Sequence, residues 1–291
     1  MTLLSYHFMQ RAFVAALLVS LAAPAVGIYL VQRRMALIGD GIGHVALTGV
    51  AVGILFKTQP VYTAVVVSAA AALVIELVRS RGRTSGDVAL ALMFYGGIAL
   101  GALLIDKSQD ASPATLVSNL FGSLLTTSNG DLVAIAVLGG IVLTIAVVLR
   151  PWFFAASHDE EYAVVSGLPV RALNMLLAVM AAVTVTAAMR VVGLLLVSAL
   201  MVVPVATAQQ LGRSFASTLV AAIVVAETAS LAGTAGSYYL DTKPGPTIVV
   251  LALALFAAVT VYATAIRRWR GSRSAAAQAA ADPAKNLIYE S

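Results

Sequence analysis

Asp40 and His44 stand four positions apart in the run Gly39-Asp40-Gly41-Ile42-Gly43-His44. On an α-helix that spacing puts both side chains on one face, about one turn apart. A carboxylate and an imidazole placed this way can share a ligand, and their oxygen and nitrogen donors suit Zn²⁺ or Mn²⁺. A third ionisable residue, Glu227, interrupts the apolar run Val224-Val225-Ala226-Glu227-Thr228. With a rise of about 1.5 Å per residue, Asp40 lies roughly 9 Å and His44 roughly 15 Å beyond Arg34, and Glu227 roughly 21 Å beyond Arg213. A charge at that depth in hydrocarbon costs at least about 2.5 kcal/mol, which makes function the default reading of such residues. The alternatives are a purely structural Asp40–His44 hydrogen bond and a Glu227 that stays protonated. A transport site needs fewer or looser ligands than a closed structural zinc site, so that the ion can leave, and Asp40, His44 and Glu227 meet that description.

These residues need a membrane to be deep in. The chain has 291 residues, of which 60% are hydrophobic and 11% charged, against about 25% charged in an average soluble domain. Its mean hydropathy of +0.96, with apolar runs of about 20 residues between short polar breaks, indicates an all-α polytopic membrane protein. The runs are Phe8 to Gln32, Met35 to Phe56, Val61 to Val78, Val88 to Ile105 and Leu132 to Leu149, then Leu173 to Met189, Val191 to Ala208, Phe215 to Tyr238 and Pro246 to Ile266. About nine spans result, some short or broken. With the N-terminus outside, Arg33, Arg34, Arg79, Arg81, Arg83, Arg150, Arg171, Arg213 and the basic residues from Arg267 to Lys285 fall inside. Arg11, Lys57, Lys107, Arg190 and Lys243 then fall outside, the asymmetry of the positive-inside rule, so the expected topology is N-out and C-in. Ala23-Pro24-Ala25 has the look of a signal-peptide cleavage site, but the segment before it carries only Arg11 as a basic residue and reads as a first span. Residues 1–271 are expected to form the transmembrane domain and 272–291 a flexible cytoplasmic tail.

Two spans carry helix-weakening residues, Gly39, Gly41 and Gly43 in the second and Pro204 in the seventh. Breaks at membrane depth occur where protein or a water-lined cavity satisfies the freed backbone, and transporters place them around the substrate path. Close helix packing through glycine is the alternative. In the polar stretch between the fifth and sixth spans, Ser157-His158-Asp159-Glu160 reads as a capping box. Asp159, Glu160 and Glu161 favour a helix N-terminus, and Gly167 with Pro169 supplies a stop. No G-x-x-x-x-G-K-[ST] run is present in the sequence, so the chain has no recognisable ATP-cradling loop. A short surface helix beside transport-like spans is a candidate dock for a separate ATPase. The absence of cysteine excludes disulfides and thiolate metal sites, and the net charge of +5 reads as membrane orientation rather than nucleic-acid binding.

The segment from Arg33 to His44, Arg33-Arg34-Met35-Ala36-Leu37-Ile38-Gly39-Asp40-Gly41-Ile42-Gly43-His44, continuing through Gly49 to Gly53, resembles the R-R-M-A-x-x-G-D-x-x-x-H block of a known family. That family comprises the membrane permease subunits of bacterial zinc, manganese and iron ABC importers. Asp159-Glu160-Glu161 with Ala163 and Gly167, then Val192 to Val197 and on through Pro204 to Ala208, resembles its second signature. Leu120-Phe121-Gly122-Ser123 before Asp131 is similar to a third. Gly41 and Gly43 depart from the bulkier or hydroxyl residues of many relatives.

The resemblance implies a permease that works as a homodimer or paired with another permease in a bacterial cell membrane. It implies a cytoplasmic ATPase at Asp159, Glu160, Glu161, Ala163 and Gly167, and an extracytoplasmic metal-binding protein that delivers the ion. Transported Zn²⁺, Mn²⁺ or Fe²⁺ would be cargo, with no permanently bound cofactor and no catalysis in this chain, and zinc is favoured. A secondary transporter using Asp40, His44 and Glu227 as a proton relay is the alternative. An intramembrane hydrolase is disfavoured, because H-E-x-x-H is absent and no Ser-His spacing stands out.

Overall fold

The computed structural model describes residues 7–80, 86–108, 122, 127–212 and 214–281. Arg81, Arg83, Leu120, Phe121, Ser123, Arg213 and residues 282–291, which figure in the sequence reading, lie outside the described residues. The described residues form eleven helices and no strand: α1 (His7–Gln32), α2 (Ile38–Leu55), α3 (Pro60–Ser80), α4 (Gly86–Lys107), α5 (Asn129–Val148), α6 (Arg150–His158), α7 (Glu160–Val165), α8 (Val170–Val192), α9 (Leu194–Leu211), α10 (Phe215–Tyr239) and α11 (Pro244–Ala281). Nine of them are long and apolar enough to cross a membrane, and these match the nine apolar runs of the sequence. The chain is an all-α polytopic membrane protein.

Two helices hold the bundle together. α1 packs against α5, α8, α9 and α10, while α8 packs against α1, α2, α3, α5 and α9. The α2–α3–α4 group thereby lies on one side and the α9–α10–α11 group on the other. Lipid tails are as apolar as leucine, so helices in a bilayer associate by close packing rather than by exclusion from water, and small residues promote it. α1 fits that rule, since Ala12, Ala15, Ala16, Ala22, Ala23 and Ala25 are all buried. The Ala23-Pro24-Ala25 segment is interior helix. Outward faces on the peripheral helices carry large apolar side chains such as Val66, Leu92, Val133 and Val250.

The expected interruptions are not where Gly39, Gly41, Gly43 and Pro204 stand. α2 is continuous from Ile38, and all three glycines are helical and buried. They serve packing instead: a Cβ on Gly43 would fall onto the Leu194 side chain, and one on Gly41 onto Leu90. Pro204 lies inside an unbroken α9, among buried residues. The real break is Gly193, where α8 ends and α9 begins through one residue at φ 89°, ψ 150°. An L-residue rarely adopts that conformation, and glycine does so without steric cost. The α8–α9 junction is therefore this buried residue rather than an outer loop at Arg190, which is itself helical.

That junction is inside the bundle. Leu194 meets Gly43, Ser198 and Met201 meet Gly39, and the Met201 backbone meets Gly27 of α1. The turn is consequently level with the His44 turn of α2. Gly122, at φ 71°, sits directly on it, and a Cβ there would lie 2.3 Å from the Gly193 nitrogen. Non-helical backbone at membrane depth is tolerated only where protein or a water-lined cavity covers it. Val191, Val192, Gly193 and Leu194 are all buried.

Candidate translocation site

Asp40 enters the structure earlier along its helix than residue counting places it. The α1 C-terminus closes with Met35 N–H donating to the Leu30 carbonyl at 2.8 Å and Arg34 N–H to Val31 at 3.1 Å. This is the paired bonding of a Schellman turn, with Arg34 in the left-handed position at φ 58°. Residues 33–37 are spent on the reversal, so α2 starts at Ile38 and Asp40 falls in its first turn. The positive end of the helix dipole there favours a carboxylate.

One turn further, His44 is half-buried, and its ring meets Phe94 of α4 edge to face at 4.3 Å between centroids. The charge acting on the ring is the Asp40 carboxylate. The His44 Nδ1 atom is buried with no hydrogen-bond partner among the described residues. α4 comes this close because of Gly97, where a Cβ would lie 2.7 Å from the Val45 nitrogen and 2.8 Å from the His44 carbonyl carbon. Thr48 Oγ1 then donates to the Gly97 carbonyl at 2.8 Å, pinning the two helices. Leu37, Asp40, Leu90, Ala91, Phe94 and Tyr95 line an open pocket of about 260 Å³ between α2 and α4. The sequence reading missed Phe94, Tyr95 and Gly97. Phe94-Tyr95-Gly96-Gly97, aromatic residues beside paired glycines inside a span, was the available signal.

Glu227 does not join this pair within one chain. It lies on α10 beside the Ser20 hydroxyl of α1, which itself donates to the Ala16 carbonyl at 2.7 Å. Its Oε2 has no partner among the described residues, and neither do the buried hydroxyls of Ser230 and Thr234 on the same helix. Among the described residues no three of His, Cys, Asp and Glu gather closely enough to hold a metal ion. The chain thus presents two separate polar loci, the Asp40–His44 pair and a stripe around Glu227.

The polar stretch after α5 folds as two short helices. Ser157 is not the N-cap: it belongs to α6, and the cap of α7 is Asp159, whose carboxylate accepts from Tyr162 N–H at 2.9 Å. Asp159 has the extended backbone of a cap, φ −147° and ψ 100°, whereas Ser157 is helical. α7 ends at Gly167, φ 80°, with Leu168 N–H donating to the Ala163 carbonyl at 3.0 Å. Ala163 is buried, while Glu160, Glu161, Tyr162, Val164 and Val165 are exposed.

This segment is tied to the α1–α2 turn. Arg33 donates through Nε to Ser157 Oγ at 3.0 Å and through Nη1 to Asn174 Oδ1 of α8. Asn174 Nδ2 donates in turn to Glu160 Oε1 at 3.4 Å. Burial holds the Arg33 guanidinium below its ordinary range, and the nearby Glu160 carboxylate partly offsets this. Close by, Arg79 grips the buried Glu76 carboxylate through two bonds of 2.9 and 2.8 Å.

A helical bundle with nine spans, polar loci at depth and an exposed short helix beside them has the architecture of a membrane transport subunit. Residues 5–263 match the model of the ABC 3 transport family, and the chain belongs to that family. It is 31% identical over 276 residues, 94% of each chain, to the manganese transport system membrane protein MntC of Halalkalibacterium halodurans. It is 28% identical to the high-affinity zinc uptake system membrane protein ZnuB of Haemophilus influenzae, over 86% of this chain and 96% of that one. Among solved structures, PsaBC from Streptococcus pneumoniae in complex with Fab superposes with a TM-score of 0.80 at 29% identity, covering 88% of this chain and 92% of that one.

Proposed function

We propose that the chain forms the translocation path of an ATP-driven importer for a divalent transition metal, with zinc the favoured cargo over manganese and iron. The observation that carries this reading is the Asp40–His44 pair, beside an open pocket and with the His44 Nδ1 lacking a partner among the described residues. Neutral imidazole nitrogen and carboxylate oxygen are ligands for all three metals, and two ligands from one chain make a site loose enough to release its ion. A second permease copy would bring a second pair. Glu227, apart from the pair, serves as a later or earlier stop on the same path. Energy comes from a separate ATPase docked on the segment from Asp159 to Gly167, whose exposed Tyr162, Val164 and Val165 offer an apolar contact. An extracytoplasmic metal-binding protein delivers the ion. The chain resides in a bacterial cell membrane with its N-terminus outside and its C-terminus in the cytoplasm.

The test is uptake of radiolabelled Zn²⁺ and Mn²⁺ by cells expressing the chain with the candidate ATPase and binding protein of its own genome. Wild type is compared with His44→Ala and Glu227→Ala at equal protein level. ATPase-dependent uptake of one metal, lost in both variants, supports the reading and its site. Uptake indifferent to the ATPase overturns it in favour of a secondary transporter, and uptake intact in both variants removes the site assignment.

A further inference from the structure

Arg33 stands where the α1–α2 turn, the end of α6 and the first turns of α8 meet. Its backbone opens the α1–α2 turn, one residue before the left-handed Arg34 and seven before Asp40. Its guanidinium reaches away from that turn, to Ser157 at the end of α6 and to Asn174 on α8. Asn174 is 6% exposed and carries the connection on to Glu160, the first residue of α7. Both sides of the Asp159 cap are thereby held from a single side chain, directly at Ser157 and through Asn174 at Glu160. A basic residue needed only to mark membrane orientation would lie in solvent, whereas this one is half-buried and makes directed bonds.

We infer that Arg33 is the positioning residue that converts displacement of the α6–α7 segment into movement of α2, and with it of the Asp40–His44 pair. This rests on the reading that an ATPase docks on that segment. The guanidinium suits the task because its planar fork fixes direction as well as charge, which a lysine ammonium on a flexible stem does not. Displacing Ser157 or Asn174 either pulls the α1–α2 turn along or breaks these bonds, so the two ends are energetically coupled. Coupling of this kind requires an element whose arrangement both sites bias. Here that element is the turn at residues 33–37 with the N-terminal end of α2.

The experiment uses the full importer in proteoliposomes, with the chain carrying Arg33→Lys, Arg33→Gln or Asn174→Leu. ATP hydrolysed and Mn²⁺ or Zn²⁺ transported are measured on the same preparation. All three variants are expected to retain the ATPase on co-purification and to hydrolyse ATP, yet to move about tenfold less metal per ATP. The Arg33→Lys/Asn174→Leu double variant is expected to do no worse than either single one. Metal moved per ATP within about twofold of wild type, or hydrolysis and transport falling in parallel as a purely structural role gives, overturns the assignment. If Arg33→Gln does not fold, Arg33→Lys and Asn174→Leu carry the same comparison. Val165→Asp, on the exposed face of α7, separates the two readings. If it leaves the ATPase bound, the docking reading falls and the Arg33 assignment with it; if it releases the ATPase while Arg33→Lys keeps normal metal per ATP, the Arg33 assignment falls alone.

Discussion

His44 has neighbours that hold its ring and, among the described residues, none that use its Nδ1. Phe94 braces one edge, Asp40 supplies the nearest charge, and the backbone of α4 presses against its own carbonyl at Gly97. Replacing His44 with alanine is expected to weaken apparent metal affinity by more than about tenfold, because losing a ligand costs at least as much as losing the outer-shell partner that orients one, and so to remove uptake at low metal concentration. The concentration dependence of Zn²⁺ and Mn²⁺ uptake measures it. Gly97→Ala tests positioning rather than ligation. The added Cβ would stand 2.7 Å from the Val45 nitrogen, and the atom it meets is backbone and cannot rotate away. Overpacking of this kind costs about 1–3 kcal/mol. A lowered thermal midpoint in detergent, together with weaker uptake at unchanged expression, is the expected result. A variant as stable as wild type would mean that α4 can withdraw from α2 freely.

Among the elements, the apolar spans were legible in the sequence and their ends were not. Nine runs of hydrophobic residues are a composition signal, and the structure returns nine spanning helices. Helix ends are set by backbone geometry, and here the usual marker is missing. The left-handed residues closing α1, α2 and α10 are Arg34, Lys57 and Asp241 rather than glycine. Conversely, the conspicuous glycines of α2 are packing residues, and the glycine that does break a span, Gly193, stands alone in an apolar run. The Asp40–His44 pair was legible because both residues lie on one helix, where spacing dictates proximity. The separation of Glu227 from that pair depends on how α1 lies between elements, which no spacing encodes. Capping failed for a local reason: Ser157 and Asp159 both suit an N-cap, and the aspartate has it. Asp159→Ala is expected to cost α7 about 1 kcal/mol. The readout is weaker retention of the ATPase on co-purification, rescued by Asp159→Asn. Gly193→Ala forces an L-residue to φ 89° and is expected to destabilise by about 1–3 kcal/mol, read as a lower thermal midpoint.

At the scale of the molecule, α1 and α8 are the helices against which the two flanking groups pack. α2 reaches α9 where Gly39 and Gly43 meet Ser198, Met201 and Leu194, a close approach that small residues permit. With nine helices among the described residues long and apolar enough to span, the proposed orientation puts the N-terminus outside and the C-terminus in the cytoplasm. A reporter active only in the cytoplasm is therefore expected to work at the C-terminus and to fail at the N-terminus, and one active only outside to do the reverse. Signals from the same side for both fusions would require one helix among the nine to be re-entrant.

Gly122 meets the Gly193 backbone with no room for a side chain on Gly122. Most contacts in a protein core can be renegotiated in evolution, because a smaller residue on one side can be answered by a larger one on the other. This one offers nothing to trade. Both glycines are held by positive φ, and Gly122 also by the closeness of Gly193, so a change at either position has no second-site suppressor at its partner. In a saturation library the two positions should therefore be intolerant independently. Across relatives such a contact leaves no correlated substitutions, so methods that infer proximity from covariation are blind to it.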